Sequence, residues 1–292
     1  MIREKIKKHK NAISTAALVY VAASWGSTFT VVKDSLGSIN PVLMVGYRFA
    51  IAAIIIMLYL MYKNKNLFQN IKQGLILGIL MFGMYVPQTV GLLYTKASNS
   101  GFITGMYILF IPFFSFFIMK RKFEKSKIIP ILLSLIGMYL LTGGIKGINI
   151  GDIITLGTAA FCALHILAAD FYVKKDIDVL VITFQQFAVT SILSLIISMI
   201  FRVEFKTENT NVWWATLFLA LFPTISAFII QMYSQKFVSP FKVAAIFALE
   251  PIFALIMAVW FGNEEIRLTG LAGGGLIIAG IIFSELKIIN SK

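Results

Sequence analysis

Three ionisable side chains lie inside long apolar stretches of this 292-residue sequence, where an unpaired charge is costly and therefore marks a functional candidate. Glu250 could bind a cationic group or a proton, or be tied to neighbouring hydroxyls, in a helix that Pro251 kinks because proline lacks an amide donor. Arg48 could hold a carboxylate bidentately or lock helices through their carbonyls. His165 could relay protons, although a lone histidine is more often a hydrogen-bonded core residue.

Uncharged polar and aromatic side chains recur in the same stretches. Trp25 and Tyr107 could stack on a cation or wall an apolar group, while amide and hydroxyl groups could add hydrogen bonds. For any one of these uncharged residues, simple packing explains the pattern equally well. The predicted substrate-binding residues are Trp25, Thr28, Arg48, Gln88, Thr104, Tyr107, His165, Gln185, Gln186 and Glu250.

An acidic cluster near the end of the sixth apolar stretch offers a different chemistry. Asp170, Asp176 and Asp178 could hold magnesium for a membrane prenyltransferase, but Lys174 and Lys175 are interleaved with them and favour ordinary ion pairs. The sequence has no phosphate-binding loop, zinc-protease motif or Gly-x-Ser-x-Gly. We therefore expect no enzyme, no metal, no cofactor and no nucleotide-driven pump, which leaves passive exchange or coupling to an ion gradient.

The elements that must position these residues follow from composition. Hydrophobic residues make up 59% of the chain, charged residues 13%, and the mean hydropathy is +0.87, which is too apolar for a soluble domain. Runs of about 20 apolar residues can cross a bilayer, and apolar character on every face favours helices over a barrel. Ten such runs are predicted, at approximately 13–33, 42–62, 73–94, 99–119, 127–142, 151–173, 179–201, 212–235, 240–260 and 267–287.

Membrane topology explains the net charge of +13. With the N-terminus inside, 19 Lys and Arg residues fall in cytoplasmic segments and 6 in outer ones, while Arg48 lies within a helix. This bias predicts cytoplasmic N- and C-termini in the cell (inner) membrane. The basic N-terminal segment is interpreted as the start of the first helix, because its apolar part is longer than a secretory signal core. The positive charge faces anionic lipid, and no nucleic-acid partner is expected.

The two halves of the sequence resemble each other. The aligned pairs, at offsets of 138 or 139, include Phe49 and Phe187, Tyr94 and Tyr233, Ser100 and Ser239, and Pro112 and Pro251. Five helices per copy is an odd number, so the second copy must enter the membrane from the opposite side. The predicted fold is an all-α membrane protein with ten transmembrane helices, arranged as two inverted five-helix repeats, 1–145 and 146–292, around a central cavity.

Several short motifs, in this order and spacing, resemble the drug/metabolite transporter superfamily, EamA type. The motifs are Trp25-Gly26-Ser27-Thr28-Phe29, Arg48-Phe49, Leu93-Tyr94-Thr95-Lys96-Ala97-Ser98, Leu249-Glu250-Pro251, Gly262-Asn263-Glu264 and the glycine-rich last helix. The resemblance implies two inverted repeats that move small metabolites, often outward, by alternating access. The sequence departs from the family pattern at Ala163-Leu164-His165-Ile166, where a tryptophan is common, and this weakens any role carried over to His165.

Together these features predict a secondary transporter that exports amino acids or related zwitterions, with Arg48 and Glu250 as opposite poles. The alternatives are an exporter of cationic or apolar drugs, for which Glu250 alone matters, and the membrane prenyltransferase. The expected partners are a small-molecule substrate and the lipid bilayer. Coupling to a proton gradient stays open, as does a homodimer through Gly270 and Gly274, whose spacing lets helices touch.

Overall fold

The fold is entirely helical wherever regular structure is described. The computed structural model describes residues 2–95, 97–118, 120, 125, 128–142, 149–175, 177–261 and 268–289. Its helices are α1 (Ile2–Gly26), α2 (Thr28–Ser35), α3 (Pro41–Tyr62), α4 (Ile71–Tyr94), α5 (Ala97–Gly105), α6 (Tyr107–Phe117), α7 (Ile128–Thr142), α8 (Ile150–Val173), α9 (Val179–Ile200), α10 (Thr210–Ala220), α11 (Ala227–Ser234), α12 (Pro240–Phe247), α13 (Glu250–Phe261) and α14 (Leu268–Ile289), with a π-helical segment, Leu221–Ser226, between α10 and α11.

Eight segments of the described chain are long and apolar enough to cross a membrane, so the protein is an integral membrane protein. They are Lys10–Ser35, Pro41–Tyr62, Ile71–Tyr94, Ser100–Phe117, Ile150–Val173, Val179–Ile200, Thr210–Ser234 and Pro240–Phe261. The two remaining predicted runs coincide with shorter apolar helices, Ile128–Leu140 and Leu268–Gly280.

Several helices begin where a polar side chain satisfies the free amides of the first turn. Asn40 accepts from the amide of Val42 at 2.9 Å, and Pro41 follows at a position that needs no amide donor. Asn149 and Asp152 form a reciprocal capping box at the start of α8. These caps fix where the apolar segments begin.

Four of the predicted runs are interrupted near their middle rather than continuous. Breaks occur at Ser27, at Met106, in the π-helical segment and at Ala248 and Leu249. The last break was expected, because Pro251 cannot donate to the carbonyl of Phe247. Pro223 lies within the π-helical segment and disrupts the regular bonding there in the same way. Helices broken at membrane depth expose backbone groups that can line a cavity.

Helix pairs pack closely where glycine removes the side chain. A Cβ on Gly137 of α7 would lie 2.6 Å from the carbonyl oxygen of Gly273 on α14, so any larger residue would separate these helices. Between α3 and α9, Ser191 donates a hydrogen bond to the carbonyl of Gly46 at 2.9 Å. The small residues of α14 therefore serve packing within the bundle.

Candidate functional site

A cavity lies where the interrupted helices meet. It is lined by Trp25 and Thr28 beside the first break, Thr104 and Tyr107 beside the second, and Phe247 and Glu250 across the last, together with Met84, Tyr85, Gln88, Cys162, His165, Ile166, Phe228 and Gln231. Each break therefore places side chains at the cavity wall. Seven of the ten predicted binding residues lie here, and Arg48, Gln185 and Gln186 do not.

Glu250 supplies a carboxylate to the cavity wall. It lies in the first turn of α13, and only 7% of its surface is exposed. Among the described residues, no side chain or amide donates a hydrogen bond to it, and none forms an ion pair with it. A buried charge without partners is unfavourable, so this carboxylate requires a cation or a proton from outside the fold.

Aromatic rings form the wall around the carboxylate. The ring centroid of Trp25 lies 4.8 Å from that of Phe247 and 5.3 Å from that of Phe228, and Phe228 also contacts His165 at 5.8 Å. The indole Nε1 of Trp25 donates to the carbonyl of Pro223 at 2.7 Å, which holds the ring in place. Fixed aromatic faces beside a carboxylate favour binding of an organic cation.

The polar side chains of the wall differ in how they are satisfied. Gln88 donates to the hydroxyl of Thr104 at 3.2 Å, and Thr28 donates to the carbonyl of Trp25 at 2.7 Å. The hydroxyl of Tyr107 is buried and has no partner among the described residues. Tyr107 is therefore free to bond a ligand, whereas Thr28 is engaged across the break between α1 and α2.

His165 is held from behind the cavity wall by Gln186. The Nε2 atom of His165 lies 2.8 Å from Oε1 of Gln186, and both side chains are buried. Which group donates in this contact depends on the tautomer of the histidine. Gln186 thus orients the histidine rather than reaching the cavity.

Arg48 lies outside the cavity lining and is bonded to the π-helical segment. Its Nε atom donates to the hydroxyl of Thr224 at 2.6 Å, and a terminal nitrogen donates to the carbonyl of Pro223 at 3.4 Å. The guanidinium carbon lies 4.7 Å from the ring centroid of Tyr85 and 5.6 Å from that of Phe49. These contacts correspond to the helix-locking role that the sequence left open.

Gln185 lies far from the cavity wall, at the start of α9. Its Nε2 atom donates to the carbonyls of Leu67 and Gln69 at 2.7 and 2.9 Å. The side chain therefore fixes the loop between α3 and α4. It contributes nothing to the cavity in this structure.

Sequence reasoning missed seven lining residues: Met84, Tyr85, Cys162, Ile166, Phe228, Gln231 and Phe247. Six of them have no unusual sequence context, since apolar, aromatic and small side chains fill every helix. Gln231 did carry a signal, because an amide in an apolar helix is uncommon and Gln235 follows one turn later.

The acidic cluster is engaged by lysines. Asp170 is completely buried and pairs with Lys174, whose side chain is exposed. Asp178 caps α9 and lies 3.0 Å from Nζ of Lys65. Partial burial raises the pKa of Asp178, but the Lys65 hydrogen bond and the α9 amides outweigh this and hold its pKa below the ordinary value. Asp176 and Gly262-Asn263-Glu264 lie outside the described residues.

The comparison with known families decides the class of this chain. The model of the EamA-like transporter family matches residues 13–143 and again 149–286. The chain belongs to the EamA-like transporter family. An uncharacterized transporter of Archaeoglobus fulgidus is 33% identical over 96% of this chain and 88% of its own length. The uncharacterized transporter YyaM of Bacillus subtilis is 26% identical over 88% of each chain.

A solved crystal structure of a protein has the same fold as this EamA-family chain. It is 17% identical, covers 94% of this chain and 97% of its own, and has a TM-score of 0.79. At this identity the likeness concerns the fold alone. The resemblance found in the sequence is thus confirmed, and the protein is a member of a membrane transporter family.

Proposed function

We propose that the protein is a secondary transporter that moves small organic cations across the membrane, with Glu250 as the binding carboxylate. The observation that carries this proposal is a buried carboxylate, without a described partner, in a cavity walled by aromatic rings. A cation over an aromatic face gains up to about 2 kcal/mol when both are desolvated, and the carboxylate adds its charge. The same carboxylate can take a proton when the cation leaves, which would couple transport to a proton gradient.

The proposed architecture has ten spans in two inverted repeats, residues 1–145 and 146–292. The family model matches once within each half. In support of this arrangement, the rings of the aligned Phe49 and Phe187 lie 5.5 Å apart between the halves, as two equivalent residues do when a pseudo-twofold axis passes between them. The interrupted helices around the cavity supply the flexible points for alternating access.

Contacts between helix ends support counting α7 as a span. Thr95, after α4, donates to Asp152 at the start of α8 at 2.6 Å, so these two ends share one face. The span Ser100–Phe117 crosses once between them, and α7 must then return the chain to the same face. We assign this face to the outside and both termini to the cytoplasm of the cell (inner) membrane, because the basic residues lie predominantly on the other side.

Export of amino acids or related zwitterions is the second candidate. It is supported by Arg48, whose guanidinium stacks on Tyr85 and so lies one ring behind the cavity wall. A substrate carboxylate would have to draw Arg48 away from Thr224. The cationic site needs no such rearrangement, and it is therefore preferred.

The test uses proteoliposomes and three ligands with one phenyl ring: phenethylamine, phenylalanine and phenylacetate. On the proposed function, phenethylamine drives counterflow, phenylacetate does not, and Glu250→Gln abolishes the phenethylamine signal. On the zwitterion hypothesis, phenylalanine is preferred, and its transport is lost in both Glu250→Gln and Arg48→Met. Phenethylamine counterflow that is unchanged in Glu250→Gln contradicts the proposed function.

A further inference from the structure

We infer that Gln231 makes the cavity selective for ammonium groups with at least two N–H donors, so that primary and monomethylated amines bind and more fully methylated ones are disfavoured. The inference rests on the proposed function, since it assigns the cation to the cavity that contains Glu250. Gln231 lies on α11 and is completely buried at the cavity wall. Its role follows from a hydrogen-bond chain that joins its amide to Gln235 and to the backbone of Ile166.

This chain begins at a backbone carbonyl. Nε2 of Gln235 donates to the carbonyl oxygen of Ile166 at 2.8 Å, and a carbonyl can only accept. The Oε1 atom of Gln235 must therefore face the other way, where it accepts from Nε2 of Gln231 at 3.2 Å. The orientation of both amides is fixed by Ile166, and flipping either one would place like atoms together.

The side-chain oxygen of Gln231 therefore receives no hydrogen bond from this chain of groups. Oε1 of Gln231 is buried and has no donor among the described residues. A buried acceptor without a donor is unfavourable, and the ligand is the group available to supply one. The relay thus leaves Gln231, a residue of the cavity lining, with an unpaired acceptor rather than an unpaired donor.

Two acceptors that lack donors therefore line one cavity, Glu250 and Gln231. Tyr107 adds no such demand, because a hydroxyl can donate as well as accept. A primary or monomethyl ammonium carries enough N–H groups to satisfy both acceptors. A dimethyl ammonium carries one N–H and leaves one acceptor unsatisfied, and a trimethyl ammonium leaves both, although the aromatic wall would accept either cation.

The experiment measures binding of phenethylamine and its N-methyl, N,N-dimethyl and N,N,N-trimethyl forms to the purified full-length protein by competition. In the wild type, the largest loss of affinity, about tenfold, falls between the monomethyl and dimethyl forms, because a site built to bond an N–H rejects analogues that lack it. In Gln231→Leu the largest loss of affinity should instead fall between the dimethyl and trimethyl forms, because Glu250 is then the acceptor that a single N–H can satisfy. Gln73→Leu, the same change on α4 outside the cavity lining, should keep the wild-type profile.

The possible outcomes separate the two proposals. The role of Gln231 is overturned if the wild type binds all four amines with equal affinity. It is also overturned if Gln231→Leu loses affinity at the same methylation step as the wild type. Neither result contradicts cation transport. Binding of none of the four cations by the wild type contradicts the proposed function itself. If Gln231→Leu does not fold, the position of the step in the wild type decides the inference alone.

Discussion

Arg48 and Glu250 are both buried in the bundle, but they differ in what satisfies them. Arg48 donates to Thr224 and to the carbonyl of Pro223, and its guanidinium stacks on aromatic rings. Glu250 has no such partners among the described residues and faces the cavity. A satisfied buried charge stabilises a structure at best modestly, whereas an unsatisfied one demands a ligand. The charge to which we assign function is therefore Glu250.

Replacing Arg48 tests this division. In Arg48→Met, Thr224 still donates to the carbonyl of Leu219 and Pro223 still accepts from Trp25, so both of these groups keep a partner. The lost charged hydrogen bonds are offset by the removed desolvation cost, and the free energy of unfolding should change by about 1 kcal/mol or less. Arg48→Ala should lose about 3 kcal/mol, because it also leaves a void.

The measurement is unfolding in mixed micelles, with phenethylamine binding as the second readout. Binding should be retained in Arg48→Met. If the wild type binds a ligand that carries a carboxylate and a well-folded Arg48→Met protein does not, Arg48 belongs to the substrate site instead.

At the level of single residues, the sequence predicts the polar part of the cavity better than the apolar part. Glu250, His165 and Gln88 are conspicuous because ionisable and amide groups are expensive in hydrocarbon. Phe228 and Phe247 are two of 26 phenylalanines, and composition cannot separate a cavity wall from a lipid-facing surface. The role of Arg48 depends on Thr224, which lies 176 residues away in the chain, so no local pattern reveals it.

At the level of elements, the breaks in the helices position the site. The Pro223 carbonyl in the π-helical segment accepts hydrogen bonds from Trp25 of α1 and from Arg48 of α3. One irregular segment thereby holds two other helices at the cavity. The sequence marks this segment and the α12–α13 break by proline, whereas the breaks at Ser27 and Met106 directly follow Gly26 and Gly105, and glycine weakens a helix.

The contributions of the ring face and of the N–H group of Trp25 can be tested separately. Trp25→Phe keeps an aromatic face and loses the bond to Pro223, so the free energy of unfolding should fall by about 1 kcal/mol and phenethylamine affinity should stay within about threefold. Trp25→Leu loses the face as well, and affinity should fall about tenfold. Both are measured by ligand-induced thermal shift. Equal affinities in Trp25→Phe and Trp25→Leu would show that the ring face does not bind the cation.

The ion pair between Lys65 and Asp178 joins the loop after α3 to the start of α9, and it predicts a pH dependence. The Lys65 pKa is raised by its hydrogen bond and charge contact with Asp178, while the Asp178 pKa is lowered. The contribution of Asp178 is therefore present above the ordinary aspartate pKa and lost as the pH falls through its lowered folded value. The contribution of Lys65 is present below the ordinary lysine pKa and lost as the pH rises through its raised folded value.

Asp178→Asn isolates the ion pair, because asparagine caps a helix as well as aspartate does. The variant should be less stable than the wild type at pH 7. The difference should begin to shrink below about pH 4, where aspartate in the unfolded chain takes up a proton, and should vanish below the lowered folded pKa of Asp178. Thermal unfolding in detergent across this range provides the measurement. Lys65→Met is the matched control, and in its background Asp178→Asn should have no further effect at pH 7. A difference that persists unchanged at acid pH would assign the effect to capping instead.

For the whole molecule, contacts between helix ends fall into two groups that agree with the charge distribution. The basic segments join one another, as where Lys65 meets Asp178 and where Asn11 donates to the carbonyl of Phe237. The less basic ends join on the opposite face, as where Tyr47 donates to the carbonyl of Phe205. Counting charges predicts on which side of the membrane each loop lies, because insertion depends on local charge. It contains no information on which helices pack together.

Labelling by a membrane-impermeant maleimide tests this topology in intact cells. Glu204→Cys, exposed between α9 and α10, should react from outside, whereas Gln69→Cys, exposed between α3 and α4, should react only in inside-out vesicles. The native Cys162 is buried and should stay unlabelled in the wild type, which serves as the background control. Because Gln185 of α9 bonds the Gln69 loop, the start of α9 must lie on the same face as that loop, and the end of α9 on the other. Labelling of both cysteines from the same side would overturn the proposed inversion of the two halves.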